Sequence, residues 1–171
     1  RLELEARFIR AFIYFEHVKW YGGVPLLTEA QVLTNDFSEL LVPRESTKKC
    51  FEFIVDELKA CVDGLPESYD AADLGRVTKG AAMAFLGRVY LFRASPQFNP
   101  NHTAEHWNTA YNYNKQTLDY LTGKGYGLIT DLDYNDIFLT EMHKEVVFAI
   151  RYIYPGRTHN EDARMRPITH A

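Results

Sequence analysis

Aromatic and hydrogen-bonding side chains are interleaved in the run from Tyr152 to Asn160, which reads Tyr-Ile-Tyr-Pro-Gly-Arg-Thr-His-Asn. The residues that follow are polar and irregular, which predicts a loop, and binding residues concentrate on loops. A tyrosine ring offers a flat apolar face, while guanidinium and amide groups form hydrogen bonds with hydroxyls. Tyr154, Arg157 and Asn160 are therefore the candidate ligand-binding residues, and a plain surface loop is the alternative.

A second pattern is typical of a calcium site. Asp131, Asp133 and Asn135 have the spacing that opens an EF-hand loop. The pattern then fails, because the sixth position is Asp136 in place of glycine and the twelfth is Met142 in place of glutamate. An ordinary turn or strand edge is the better interpretation.

Two histidines have the spacing of metal ligands on a helix. His102 and His106 would align on one helix face, but Thr103 is the predicted helix cap and places His102 outside the helix. Since no third ligand is marked, solvated loop histidines are the better interpretation and no metal site is predicted. Asn101-His102-Thr103 is also a glycosylation sequon, which we attribute to chance because Thr103 already has a structural role.

The sequence predicts neither catalysis nor a cofactor. Carboxylates are numerous, but no pair is distinguished by its surroundings as glycoside hydrolysis would require. A Gly-rich phosphate loop and a Gly-x-Ser-x-Gly elbow are both missing. Cys50 and Cys61 lie in one predicted helix, about 16 Å apart along its axis, which is too far for a disulfide. We expect two buried, unpaired thiols and a protein that is not an enzyme.

The bulk properties are typical of one globular domain. The chain has 171 residues, of which 46% are hydrophobic, and a net charge of -4. Nucleic acid is excluded as a partner because phosphate neutralisation needs clustered Lys and Arg. No segment approaches the roughly 20 apolar residues of a membrane span. The chain opens at Arg1 inside a helical pattern, so we interpret it as an excised fragment.

Hydrophobic periodicity predicts the helices that must position these residues. Their ranges are 2–21, 46–63, 78–94 and 103–122, with Ser46, Thr78 and Thr103 as caps of the last three. The third helix is apolar nearly all round and rich in small residues, which predicts a central place in a packed array. Four aromatic residues on helix faces are expected in the core: Trp20, Tyr90, Trp107 and Tyr111.

The pattern Met83-x-x-Leu86-Gly87-x-x-Tyr90 fits the first-helix signature of a tetratricopeptide repeat, with Met in the usual Trp position. The partner signature is incomplete, and residues 95–102 lengthen the turn. Residues 126–129 and 146–154 are rich in β-branched and aromatic types and predict short strands or extended edges. The prediction is a mainly α fold of tetratricopeptide-like helical hairpins, an α–α superhelix, with a few short strands and long loops. An arbitrary helical bundle is the alternative.

Several recognisable motifs follow one another along most of the chain. They are Glu5-Ala6-Arg7-Phe8-x-Arg10-Ala11-Phe12-x-Tyr14-Phe15, Tyr21-Gly22-Gly23-Val24-Pro25-Leu26, Pro43-Arg44, Gly75-Arg76-Val77-Thr78-Lys79-Gly80-Ala81-Ala82, Leu86-Gly87-Arg88-Val89-Tyr90-Leu91, and Phe138 with Glu145-Val146-Val147-Phe148. In these motifs and their order, the chain resembles the RagB/SusD family of bacterial nutrient-uptake lipoproteins.

The resemblance implies that residues 1–171 form a single tetratricopeptide-like scaffold domain of a larger protein, without the family's lipidated N-terminal cysteine and C-terminal region. It implies a surface-exposed glycan binder of the cell outer membrane that delivers oligosaccharides to a TonB-dependent transporter of the SusC type. Membrane contact would be made only through a lipid anchor absent from these residues. Tyr154 would then stack on a pyranose face, while Arg157 and Asn160 would bind sugar hydroxyls. A tetratricopeptide-like protein–protein interaction scaffold without a sugar site is the alternative.

The sugar-binding role of Arg157 has an alternative, an ion pair with a nearby carboxylate. The Arg157 guanidinium has Glu161 and Asp162 nearby in sequence, and either carboxylate could pair with it in place of a sugar hydroxyl. Arg157 is therefore the least specific of the three candidate residues.

Overall fold

The computed structural model describes residues 1–32, 37–140, 142–152, 155–156 and 158. Within these ranges the chain is helical. In chain order the α-helices are α1 (Leu2–Tyr21), α2 (Thr47–Gly64), α3 (Lys79–Ala94), α4 (Ala104–Gly123) and the single turn α5 (Tyr134–Ile137), with short 3-10 helices at Phe37–Leu40 and Ala71–Asp73. The mainly α prediction is confirmed, and the four long helices begin and end within about one residue of the predicted positions.

The end of α1 is fixed by two glycines. Gly22 has a φ of 70°, a backbone conformation that glycine adopts without the steric cost other residues meet. Gly23 passes so close to the next segment that an added Cβ would lie 1.9 Å from the carbonyl oxygen of Glu45. The Arg44 guanidinium donates hydrogen bonds to the carbonyl oxygens of Gly23, at 2.7 Å, and of Tyr21. The chain leaving α1 is thereby held against the residues that lead into α2.

Two of the three predicted helix caps are confirmed. The Ser46 hydroxyl accepts a hydrogen bond from the Lys49 backbone N–H at 3.2 Å, and the Thr78 hydroxyl accepts one from the Ala81 N–H at 3.2 Å. Each bond satisfies one of the amides that the first turn of a helix leaves without a partner.

The start of α4 is organised by a residue that the sequence does not single out. Thr103 occupies the N-cap position, but its side chain makes no capping hydrogen bond. Instead the buried Asn99 side chain accepts a hydrogen bond from the Thr103 N–H at 2.9 Å. Its amide nitrogen lies 3.4 Å from the Ala94 carbonyl oxygen and 3.1 Å from that of Thr103. Asn99 thus ties the end of α3 to the start of α4.

Successive helices pack as antiparallel neighbours. An added Cβ on Gly64, the last residue of α2, would meet Leu4 at the start of α1, and one on Gly80, at the start of α3, would meet Leu121 near the end of α4. In the same sense, the Lys79 N–H at the start of α3 donates to the Pro66 carbonyl just after α2, at 2.9 Å. The predicted central place of α3 is confirmed, because it lies between α2 and α4 and has the most buried residues of any helix described.

The α3–α4 crossing predicts a large effect of overpacking. An added Cβ on Gly87 would lie 2.4 Å from Oδ1 of Asn114, whose amide donates to the Gly87 carbonyl at 3.0 Å. Gly87→Leu should therefore lower the free energy of unfolding by about 1–3 kcal/mol, measured by denaturant titration of the full-length protein. Gly123→Leu is the control, since no atom lies within 4 Å of a Cβ added there. An unchanged unfolding midpoint for Gly87→Leu would contradict this crossing.

The described residues of the segments expected to form short strands contain no strand. The Gly127 N–H donates to the Lys144 carbonyl at 3.1 Å, whereas the Ile129 N–H donates to a side-chain oxygen of Glu145 at 2.6 Å. Because the second bond goes to a carboxylate and not to the backbone, residues 126–129 and the chain at 144–145 are not joined by a ladder.

Both cysteines are free and buried, as expected. The Cys61 thiol donates to the Leu4 carbonyl at 3.2 Å, and burial raises its pKa to about 11, so it stays a neutral thiol at neutral pH. We expect a disulfide-exchange reagent to label neither Cys50 nor Cys61 in the native protein and both in guanidinium. An intramolecular bridge between Cys50 and Cys61 would lower the mass by two hydrogens, and that result would overturn the assignment of α2.

Candidate ligand-binding surfaces

The three candidate binding residues, Tyr154, Arg157 and Asn160, lie outside the described residues. Their role therefore stays a prediction. Among their described neighbours, Pro155 and Thr158 are exposed, and Tyr152 is 47% exposed.

The segment that leads to this region is packed on the helices. The Phe148 ring meets the Phe8 ring of α1 edge to face, with centroids 5.5 Å apart, and Phe8 in turn packs on Phe85 of α3 at 5.6 Å. Such edge-to-face pairs add specific geometry to apolar burial. Residues 145–149 and the two helices line a groove of about 630 Å³. The helical array thus fixes the direction in which the chain approaches Tyr152.

A second surface lies along one flank of α4. Trp107, Tyr111 and Leu118 are 42%, 67% and 64% exposed, and with Leu91 of α3 they line a groove of about 670 Å³. The expectation that Trp107 and Tyr111 belong to the core is wrong.

The reason is the close approach of α3 and α4. Asn114 donates to the Gly87 carbonyl, and the buried residues of α4, Ala110 and Thr117, are small, so the large rings lie on the flank. Tyr90 is half-buried against Tyr113, with ring centroids 5.3 Å apart. The expected core position is also wrong for Trp20, which is 80% exposed at the end of α1.

A buried carboxylate joins α1 to α2. Glu57 is 5% exposed, and its two oxygens accept hydrogen bonds from Arg7, at 2.9 and 3.1 Å, and from Arg10, at 2.8 Å through Nε. This cluster is not among the features predicted from the sequence. The available signal was two arginines three residues apart, beside the apolar stripe of α1.

A second ion-paired carboxylate joins α1 to the loop before α3. The Arg76 guanidinium donates to both oxygens of Glu5, at 3.0 and 2.6 Å, and the Tyr69 hydroxyl donates to one of them at 3.2 Å. The hydrogen bonds from Arg76 hold the pKa of Glu5 below its usual value. A depressed folded-state pKa contributes stability above the unfolded pKa, and that contribution is lost as the pH falls through the folded pKa.

The two metal-like patterns lie beside the starts of α4 and α5. His102 lies before α4 with a φ of 50°, and Asp133 is the residue before the single turn of α5, where a turn or strand edge was expected. The part of the chain that the structure describes holds no group of three or more His, Cys, Asp or Glu side chains placed to bind a metal ion. None of its helices has the length and apolar character needed to cross a membrane.

Known proteins are similar to this chain in sequence. A family model described as SusD-like, starch-binding and associating with the outer membrane matches residues 1–91. A SusD-like protein of Bacteroides ovatus is 36% identical over 90 residues, which cover 53% of this chain and 15% of that protein.

Solved structures share the fold. The crystal structure of a SusD-like protein from Bacteroides fragilis has a TM-score of 0.65 and 32% identity, over 91% of this chain and 28% of that one. A crystal structure with a xylogluco-oligosaccharide has a TM-score of 0.71 and 28% identity, over 88% of this chain and 29% of that one. This chain therefore spans less than a third of either solved relative.

The family match includes the structural features described above. Residues 1–91 contain four of these features: the close contact of Gly23 with Glu45, the Glu57 cluster, the Glu5–Arg76 pair and most of α3. They make up more than half of the 171 residues. The chain belongs to the SusD-like family.

Proposed function

We propose that this chain is the helical scaffold of a surface-exposed outer-membrane protein that captures oligosaccharides and delivers them to a TonB-dependent transporter of the SusC type. Membership of the SusD-like family, described as starch-binding and associating with the outer membrane, carries the proposal. The solved relative with a xylogluco-oligosaccharide supports an oligosaccharide as the ligand. We assign residues 1–171 to one scaffold domain of a longer polypeptide, whose other parts supply the lipid anchor.

Binding is proposed to proceed without chemistry on the sugar. Glycoside hydrolysis needs one carboxyl group as an acid and a second as a base or nucleophile. The carboxylates of Glu5 and Glu57 are each held by arginine and have structural roles. The description of the family as starch-binding supports a binder, and we propose that the protein is not an enzyme.

The proposed sugar site within this chain is the segment from Tyr152 to Arg164. Tyr154 would stack on a pyranose face, and Arg157 and Asn160 would bind hydroxyls. Support comes from the side chains themselves, because a ring beside hydrogen-bonding groups matches the apolar and polar faces of a sugar. The packing of Phe148 on Phe8 also supports it, since a fixed approach lowers the entropy cost of ordering a binding loop.

Tyr154→Ala should weaken oligosaccharide binding by about 1–2 kcal/mol without unfolding the helices, because truncation removes the stacking area. Calorimetry on the full-length protein measures the change. Tyr134→Ala is the matched control, since Tyr134 is 75% exposed on α5, outside the proposed site. If Tyr154→Ala and Asn160→Ala both bind like the parent, the sugar site lies outside this segment.

A tetratricopeptide-like interaction scaffold without a sugar site is the second candidate, and the apolar groove on α4 favours it. The two candidates differ in what the full-length protein retains during purification from detergent-solubilised outer membranes. Copurification of a TonB-dependent transporter together with sugar binding supports capture and delivery. A protein partner without sugar binding supports the scaffold alternative.

A further inference from the structure

The loop between α2 and α3 is tied to the start of α1. The Arg76 guanidinium donates to both oxygens of Glu5, at 3.0 and 2.6 Å. The Tyr69 hydroxyl lies 3.2 Å from the same carboxylate and 3.1 Å from the Val77 carbonyl oxygen. The Glu5 side chain is only 15% exposed, so water and salt screen its pair with Arg76 less than a pair on the open surface. The loop is therefore fixed on the helical array.

Gly75 is the residue of this loop that meets the chain leading to Tyr152. Its φ is 99°, a backbone conformation that glycine adopts without steric cost. A Cβ added to Gly75 would lie 3.1 Å from Cδ of Arg151 and 3.7 Å from its Cγ. The methylene groups of Arg151 therefore lie against the side of Gly75 from which a side chain would project. A larger residue at position 75 would compete with Arg151 for this space.

This contact is the second of two that hold the approach to Tyr152. Three residues before Arg151, the Phe148 ring packs on the Phe8 ring of α1, with centroids 5.5 Å apart. The loop and residues 142–149 also line a small cavity of about 110 Å³ between them. A chain that is fixed at one point can still turn about that point, whereas two fixed points set its direction. Because Arg151 directly precedes Tyr152, its contact sets where the proposed sugar segment begins.

We propose that Arg151 is a positioning residue for sugar binding, which acts through its contact with Gly75 and does not touch the sugar. The inference rests on the proposed sugar segment from Tyr152 to Arg164 and adds the contact that orients it. When the contact is lost, the start of the segment samples more directions, so that ordering it on a sugar costs more conformational entropy. The dissociation constant for the sugar then rises while the helices stay folded.

Asparagine substitutions at two glycines separate the contact from backbone strain. Gly125 has a φ of 87°, close to that of Gly75, but no atom lies within 4 Å of a Cβ added there. Asparagine tolerates positive φ better than most residues, so Gly75→Asn and Gly125→Asn differ mainly in the contact with Arg151.

Trypsin cleavage after Arg151 in the sugar-free full-length protein reports the contact, because the Arg151 side chain must leave Gly75 to enter the specificity pocket of the protease. Gly75→Asn should be cleaved there at least about threefold faster than Gly125→Asn, as the freed segment opens more often. Equal cleavage rates would overturn the proposal, whether or not any sugar binds.

Titration of each full-length variant on a printed glycan array tests the role in sugar binding. On the glycans that the parent binds, Gly75→Asn and Arg151→Ala should each raise the apparent dissociation constant about three- to tenfold, and Gly125→Asn should not. The double variant should bind no worse than either single variant, because both changes remove one contact. A melting temperature close to the parent's shows that a variant is folded, and Arg151→Ala carries the test if Gly75→Asn is not.

The outcomes separate this proposal from the proposed function. Parent-like binding by Arg151→Ala would overturn the positioning role while sugar capture stands. Losses that multiply in the double variant would also overturn it, since Arg151 would then act on the sugar independently of Gly75. A parent protein that binds no glycan would overturn the proposed function, and with it the role of Arg151 in sugar binding.

Discussion

Glu57→Ala should lower the free energy of unfolding by about 2–4 kcal/mol. Removing one partner of a buried ion pair is costly because the charges that remain lose their compensation. Here two guanidiniums, from Arg7 and Arg10, would lose the carboxylate that accepts their hydrogen bonds. The loss should also loosen the contact between α1 and α2, since Glu57 reaches across it.

The expected loss in the free energy of unfolding takes account of how exposed Arg7 and Arg10 are. Their side chains are 30% and 34% exposed, against 6% for the Glu57 side chain. Water can therefore solvate the guanidiniums in part after the substitution, which keeps the cost below the upper end for a fully buried pair. Glu57→Gln should fall between the parent and Glu57→Ala, because an amide keeps the shape and only part of the acceptor capacity.

Denaturant titration of the full-length protein measures this effect. Glu52→Ala is the matched control on the same helix, because Glu52 is 48% exposed and its partner Lys48 lies 3.9 Å away in an i, i+4 pair. Such surface pairs contribute about 0.3–0.5 kcal/mol. Equal stability of Glu57→Ala and Glu52→Ala would contradict a structural role for the buried cluster.

Gly23→Ala should destabilise the protein by about 2–3 kcal/mol, because there is no room for a methyl group at this position. The added Cβ would lie 1.9 Å from the carbonyl oxygen of Glu45 and 3.0 Å from its carbonyl carbon. Both are backbone atoms, so no side chain can rotate away. The overlap is removed only if the backbone at Glu45 moves. That movement would break the hydrogen bonds that Arg44 makes with the end of α1.

Gly127→Ala is the control for this substitution. No atom lies within 4 Å of a Cβ added at Gly127, so alanine there should be neutral or slightly stabilising through the unfolded state. Thermal unfolding of both variants, with the parent alongside, isolates the close approach from the general effect of replacing glycine. A parent-like melting temperature for Gly23→Ala would contradict the close backbone contact between Gly23, after α1, and Glu45, before α2.

The helices were predictable because their signals are local. Periodic apolar residues and the caps at Ser46 and Thr78 act within a few residues, and the structure places each where the sequence predicts. The small face of α3 also predicted its central position. Gly80 and Gly87 are buried there, as that prediction requires.

The features that the sequence did not predict depend on distant contacts. Glu57 is one of 23 acidic residues, and its burial depends on arginines 47 and 50 positions away. The apolar residues of α4 correctly predicted a helix, but the side that carries Trp107 and Tyr111 was expected in the core, and this was wrong. Contact with Gly87 selects the small side of α4, and this leaves Trp107 and Tyr111 on the flank.

Glycan-array screening of the full-length protein tests the central claim, oligosaccharide capture, most directly. The account predicts binding to a defined class of oligosaccharide that is recovered with its length unchanged. Binding to no glycan by a protein with a normal melting temperature, or recovery of shortened oligosaccharides, would contradict it.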